Sequence, residues 1–310
     1  MKNRESALQT RGSQKASRKR SLFRQLKRII PSLLLALSLM LPSPISLRSA
    51  SVAIKLSLGQ GWPQVSEINQ ILLSWQESLQ KQAEALKSWT WEAGTLRQFK
   101  QQIEFAASLE FNLSRYFSLN LTSGYTYGER GQDQLQAIID RPVGRSLFIQ
   151  QVKIATLPLC LEAFFHLPFS SRWEIYAGGG GGWLWLNFTQ REGIKVEPAS
   201  TFTYPAEINV HGRSQFLQTS LGVVCHLRDI SLFLEGNYRW AKFGQLNGEN
   251  KSGQEGQLYY LREYQPETGY WQAKYMIAAS QPTSPEFQEV HLAQLDLSGF
   301  SLKLGLKIKF

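Results

Sequence analysis

Reactive residues are scarce in this sequence. Its 310 residues include two cysteines, four histidines and three methionines. The histidines, His166, His211, His226 and His291, lie far apart in the chain, with no spacing that would hold a metal ion. Beyond the first fifty residues no run approaches the ~18 consecutive apolar residues of a membrane-spanning helix. Net charge is missing there too. Ten of the 34 basic residues fall between Met1 and Arg28 against one acid, Glu5, and Arg48 is an eleventh. From Ser49 onward 23 basic residues face 23 acidic ones. The formal charge of +10 therefore belongs to the leader, and a nucleic-acid partner is excluded on charge.

The leader has an ordered layout. Its basic stretch ends at Arg24-Gln-Leu-Lys-Arg28, and an apolar core follows from Ile29 to Leu41. After Pro42-Ser-Pro44 comes a small-residue run, Ser49-Ala-Ser-Val-Ala53. An apolar core this short, interrupted by Pro31, suits a signal peptide and not a membrane span. Residues 1–51 are accordingly predicted to be a signal peptide, cleaved between about 49 and 53, and residues 52–310 the mature domain. No cysteine follows the core, so a lipid anchor is not expected.

What the mature chain has in abundance is alternation, the mark of strands with one apolar and one polar face. In the last segment Phe300, Leu302, Leu304, Leu306, Ile308 and Phe310 share one face. Ser301, Lys303, Gly305, Lys307 and Lys309 share the other. Upstream, Ile230, Leu232, Leu234, Tyr238 and Trp240 oppose Ser231, Phe233, Glu235, Asn237 and Arg239. Six more segments read this way: Val52–Trp62, Gln102–Leu113, Tyr116–Gly128, Ser146–Leu167, Arg172–Phe188 and Ser214–Leu227. Glycines blur the fifth of these. Eight strands result, each near or above the ~9–11 residues that a tilted strand needs to cross a bilayer.

The connections sort by length. Those around Ser114-Arg115, Pro168–Ser171 and Arg228-Asp229 are tight. Those at Pro63–Gln101, Glu129–Arg145, Thr189–Arg213 and Gly244–Ser298 are long. Strict alternation of short and long connections places the long ones at one end, as in outer-membrane barrels with short periplasmic turns. A soluble sandwich has no reason to segregate them. Trp62, Tyr125, Tyr127, Trp183, Trp185, Tyr238 and Trp240 gather near the long-loop ends, with Trp173 and Phe310 near the other, as two aromatic girdles would. The predicted fold is all-β: a closed, antiparallel, up-and-down transmembrane barrel of eight strands.

On these features Val52 to Phe310 resembles the small bacterial outer-membrane β-barrel proteins, the family of the outer-membrane protein A transmembrane domain and the opacity-like proteins. The most specific element is Gly299-Phe-Ser-Leu-Lys-Leu-Gly-Leu-Lys-Ile-Lys-Phe310. The resemblance implies that Phe310 is the signal read by the barrel assembly machinery, and that outer-membrane lipid surrounds the chain. The first and fourth long loops exceed those of the smallest family members.

Candidate sites are few, and no cofactor is expected. The inward faces carry Lys55, Arg239, Lys303, Lys307 and Lys309 with Glu104, Glu110, Glu162, Glu174 and Glu235. Balanced charge is what a filled interior requires, because buried charge must be paired. Arg239 and Lys303 are the expected partners of Glu235. The five glycines Gly178–Gly182 lack a following Lys-Ser/Thr and open no helix, so a phosphate loop is excluded. They instead permit close approach of a bulky neighbour, Phe164 or Tyr176. Cys160 points inward and Cys225 outward on non-adjacent strands, so both thiols are expected to be free. The leading function is a structural or loop-mediated binding role without catalysis. One alternative is an envelope hydrolase or acyl-modifying enzyme using His211, Ser214 and Glu207; another is a narrow porin-like transporter. Ser66–Trp89 places Ile68, Ile71, Leu72, Trp75, Leu79 and Leu86 at helical spacing. That helix either covers the barrel mouth, or lies in the outer-leaflet interface or docks a partner. A hairpin, Gln257–Tyr264 with Tyr270–Ile277, is predicted in the last long loop.

Overall fold

The computed structural model describes residues 51–86, 90–93, 99–130, 136–140, 145–197, 203–227 and 230–310. The predicted leader up to Ala50, its cleavage region, Trp89 and the tight turn Arg228-Asp229 lie outside the described residues.

The chain is predominantly β, with one helix among the described residues. Eight strands carry most of it: β1 (Ser51–Pro63), β3 (Gln102–Asn112), β4 (Phe117–Arg130), β6 (Ser146–Pro168), β7 (Trp173–Val196), β8 (Thr203–Leu227), β9 (Ile230–Phe243) and β15 (Gly299–Lys309). Each pairs antiparallel with its two neighbours along this order, and β15 pairs back onto β1, so the sheet closes on itself. Closure removes the free edges that an open sheet would present. At one end Leu113 and Ser114 N–H donate to the Phe117 carbonyl, and Phe169 and Ser170 N–H to that of Trp173, making two tight turns.

At the other end the sheet continues beyond the ring. β6, β7 and β8 run 23, 24 and 25 residues. Among the described residues seven shorter strands add to the sheet there: β2 (Thr90–Ala93), β5 (Gln136–Asp140), β10 (Leu246–Asn250), β11 (Glu255–Gln265), β12 (Tyr270–Ala278), β13 (Phe287–Leu292) and β14 (Leu295–Asp296), the last paired with β9. The hairpin β11–β12 turns through Gln265–Tyr270 and hangs from β8 by way of β10.

The long connection expected at Thr189–Arg213 is corrected here: β7 continues to Val196 and β8 begins at Thr203. The reason is a reversal of polarity. Near the tight turns the outward residues are apolar and exposed, including Leu161, Phe165, Ile175, Leu217, Leu221, Leu232, Leu304 and Leu306. Above Trp183 and Trp185 the faces exchange character. Leu184, Leu186, Phe188 and Val210 are buried inward, and polar residues such as Arg191, Glu207 and His211 face out. Period two persists across that change while its sign flips, which in sequence reads as an end to the strand.

The helix α1 (Ser66–Ala85) fills the space this creates. Its apolar face buries Ile68, Ile71, Leu72, Trp75, Leu79 and Ala83. Ile68, Ile71 and Leu72 join one apolar core with Val152, Ile154, Leu184, Leu186, Phe188 and Phe216 from the ring and Leu258 and Tyr275 from the hairpin. Trp75 meets Phe148 edge-on, with ring centroids 6.4 Å apart.

Candidate functional site: a layered lumen under a helical plug

Four layers of inward side chains fill the ring, and residue chemistry changes with height. Lowest, at the tight-turn rim, His166 Nδ1 lies 2.6 Å from Glu174, and His166 Nε2 lies 2.8 Å from Ser118 Oγ. His226 approaches the same carboxylate at 3.5 Å and Ser231 Oγ at 2.9 Å. Serine, histidine and glutamate thus stand in the order of a hydrolytic triad. Ser118 is completely buried, however, so its hydroxyl faces no space from which a carbonyl could be attacked.

The second layer centres on Glu110, which pairs with Lys55 at 3.0 Å and with Lys307. The Lys55 ammonium also lies 4.6 Å from the ring centre of Tyr176, 5.1 Å from that of Phe164 and 5.3 Å from that of Phe233. Aromatic faces attract a desolvated cation, so this cage offsets part of the burial penalty. In the third layer Glu162 accepts from Thr122, Gln218 and Ser220 at 3.0–3.1 Å. Above it Glu104 faces Lys303 at 3.4 Å and Arg239 at 3.6 Å. The Arg239 guanidinium then stacks over Phe216, 5.4 Å from its centre, where charge gives way to the apolar plug core.

Two expectations about these residues need correction. Glu235 does not meet Arg239 or Lys303; it accepts a hydrogen bond of 2.8 Å from the Tyr176 hydroxyl. Both cations instead face Glu104 on β3; Gly59 of β1 stands opposite both Glu104 and Lys303, so the Lys303 side chain reaches across it, and Arg239 reaches from β9 beyond. Lys309 is not interior: it stands exposed at the rim, where water solvates it. The glycine run admits Phe164, whose ring would meet a Cβ on Gly178 at 2.7 Å. Tyr176 needs a glycine outside that run, since its ring would collide with any Cβ on Gly222. Cys160 is buried, Cys225 is half-buried, and both thiols are free.

The residues considered for an outer-rim hydrolase do not assemble. His211 faces outward on β8, Ser214 donates to backbone carbonyls, and Glu207 is held by Arg191 at 2.8 Å. Sequence reasoning missed the inner set of Ser118, His166 and Glu174. Its one sequence signal is that all three fall on inward positions flanking tight turns.

Polar contacts fasten the plug. Asn69 accepts the Phe99 N–H at 2.7 Å and donates to its carbonyl at 3.3 Å. Ser74 accepts the Ala273 N–H at 2.7 Å, and Ser78 donates to Gln272 at 3.1 Å. Glu67, in the first turn of α1, accepts the Gln294 N–H at 3.0 Å. Burial there pushes its pKa above the ordinary 4.5, against the opposing pull of that hydrogen bond and of His291.

A comparison with protein-family models and with curated proteins returns no match. Among solved structures, the chain is similar to a major outer membrane protein from Thermus thermophilus. Identity is 12%, coverage 84% of this chain and 100% of that one, and the TM-score 0.37. It is also similar to the transport unit of the autotransporter AIDA-I from Escherichia coli, at 11% identity, 90% and 96% coverage and a TM-score of 0.26. The outer membrane protease OmpT from Escherichia coli gives 7%, 84% and 96%, and 0.26. At these scores neither the roles of those proteins nor the detail of their folds carries over to this chain.

Proposed function

We propose that this protein is an eight-stranded transmembrane β-barrel of the outer membrane, exported by residues 1–51 and assembled through Phe310. Its role is structural or binding, exercised by the domain over its mouth, and not catalytic. The observation that carries this reading is the polarity reversal along β6, β7 and β8. Along these strands the exposed apolar residues lie in the band between the girdles, where lipid would solvate them; above it the outer face carries polar residues such as Asn187, Arg191, Glu207 and His211. Trp173 and Trp183 lie ten residues apart on β7. That is roughly 33 Å of strand, or about 25 Å at a tilt near 40°, the height of the apolar band of such barrels.

The packed lumen and the plug speak against a porin. The sealed Ser118 speaks against a hydrolase acting in the lumen. The test is fractionation of expressing cells and gel mobility. The mature protein is expected with the outer membrane, running faster unheated than boiled. Recovery as a soluble periplasmic protein would overturn the reading.

A further inference from the structure

The lipid-facing wall carries a groove whose upper edge is chemically unlike the rest of the belt. Its volume is about 720 Å³, and Leu161, Trp183, Leu217 and Trp240 form its walls around Gly181. All four wall side chains are exposed, so the groove opens outward along the strands. Gln215 and Lys242 close it at the girdle. Next to them Arg213 lies over two indoles, 5.4 Å from the ring centre of Trp183 and 5.5 Å from that of Trp185. Trp183, Trp185, Arg213, Gln215, Trp240 and Lys242 all point outward from three adjacent strands, with Trp183 paired to Gln215 and Trp185 to Arg213.

We propose that this groove binds an anionic, phosphate-bearing lipid of the outer leaflet. An acyl chain lies between Leu161 and Leu217, and the phosphate meets Arg213 and Lys242. Charge complementarity carries the assignment. A cation stacked on tryptophans at headgroup level keeps its N–H edge free for a phosphate. Among the described residues no carboxylate is ion-paired to Arg213. Asp296 lies 3.6 Å from Lys242, but that lysine is 73% exposed and keeps donors for a second anion. A second depression on the belt, lined by Leu56, Leu58, Phe105, Tyr125 and Leu304, has no charged residue in its lining. It accommodates chains of any lipid.

This inference rests on the membrane-barrel reading, and the experiment separates the two. The mature protein is refolded into phosphatidylcholine vesicles, and tryptophan emission is followed as brominated phosphatidylglycerol or brominated phosphatidylcholine is included. Bromines on a chain in the groove quench Trp183 and Trp240. Phosphatidylglycerol is expected to associate about tenfold more strongly, from two cations at the surface. R213Q/K242Q should bring the ratio close to one, while K153Q, which removes an outward cation outside the groove, should leave it near tenfold. Equal quenching by the two lipids, retention of the preference in R213Q/K242Q, or an equal loss in K153Q would overturn the site. A chain quenched by neither lipid has not inserted, and that result overturns the membrane reading together with the site.

Discussion

The ammonium of Lys55 stands 3.0 Å from the carboxylate of Glu110, and neither side chain is more than 3% exposed. Lys307 shares that carboxylate, so one anion serves two cations inside the ring. Glu110→Leu would leave both cations buried without a counter-ion. A loss of roughly 3–5 kcal/mol is expected for breaking such a group from one side. Urea titration in vesicles, read by the unheated gel shift, measures it. Adding Lys307→Met should restore part of the loss, because one remaining cation still has its aromatic cage. An unchanged midpoint in Glu110→Leu would place this layer in contact with water.

Tyr176 links that layer to the next, through its hydroxyl on Glu235 and its ring over Gly222. Tyr176→Phe removes only the hydrogen bond and should lower stability by about 1 kcal/mol. Gly222→Val forces the ring aside and should cost about 1–3 kcal/mol by overpacking. The same urea titration ranks them, and the reverse order would mean that the ring does not rest on Gly222.

How far the sequence revealed this arrangement depends on how local each signal is. Every alternating segment lies largely within a strand of the ring, because an exposed apolar face and a charged interior fix one side each. The helix at Ser66 was legible from Ile68, Ile71, Leu72, Trp75 and Leu79, which share a stripe. Its place was not, since the residues receiving it, Leu186, Phe188 and Val210, sit where the alternation reverses. Inward positions of Lys55 and Glu104 could be read from parity. Partners could not, because Glu235 and Tyr176 are 59 residues apart and meet across β8, where Gly222 stands opposite both.

Docking of α1 should be separable from the barrel beneath it. Ile71→Ala and Trp75→Ala each remove a buried side chain from the plug, expected to cost roughly 2–5 kcal/mol. Hydrogen exchange should quicken across Ser66–Ala85 and β12, while the gel shift of the barrel stays intact. Conductance of planar bilayers should remain at background in both variants, since the charged layers below still fill the lumen. Channel steps on loosening the plug would count for a gated pore.

The plug should also respond to acid, through Glu67. A carboxyl whose pKa is raised by burial favours the docked state when protonated. That contribution is complete below 4.5 and is lost as pH climbs through the raised value. Protection of the α1 amides, corrected for intrinsic exchange, should therefore decline as pH rises above 4.5. Glu67→Gln stays neutral throughout and should flatten the profile. An identical slope in the variant would assign the effect to another group, Glu192 being the next candidate, since burial raises its pKa as well.

Topology tests the membrane reading and the plug together. With Cys160 and Cys225 replaced, single cysteines at Gln80 on α1 and at Glu267 in the β11–β12 turn face the long-connection end. One at Ser170, in the exposed tight turn after β6, faces the opposite end. On intact cells a membrane-impermeant thiol reagent should label Glu267→Cys fully and Gln80→Cys more slowly, because Gln80 is half-buried beside the core of Trp75 and Leu79. Ser170→Cys should react only once the envelope is opened. The reverse pattern would turn the barrel over and put the domain over its mouth in the periplasm. Labelling of Ser170→Cys and Glu267→Cys alike on intact cells would mean that no bilayer separates them. The apolar band between Trp173 and Trp183 would then need a protein partner to cover it.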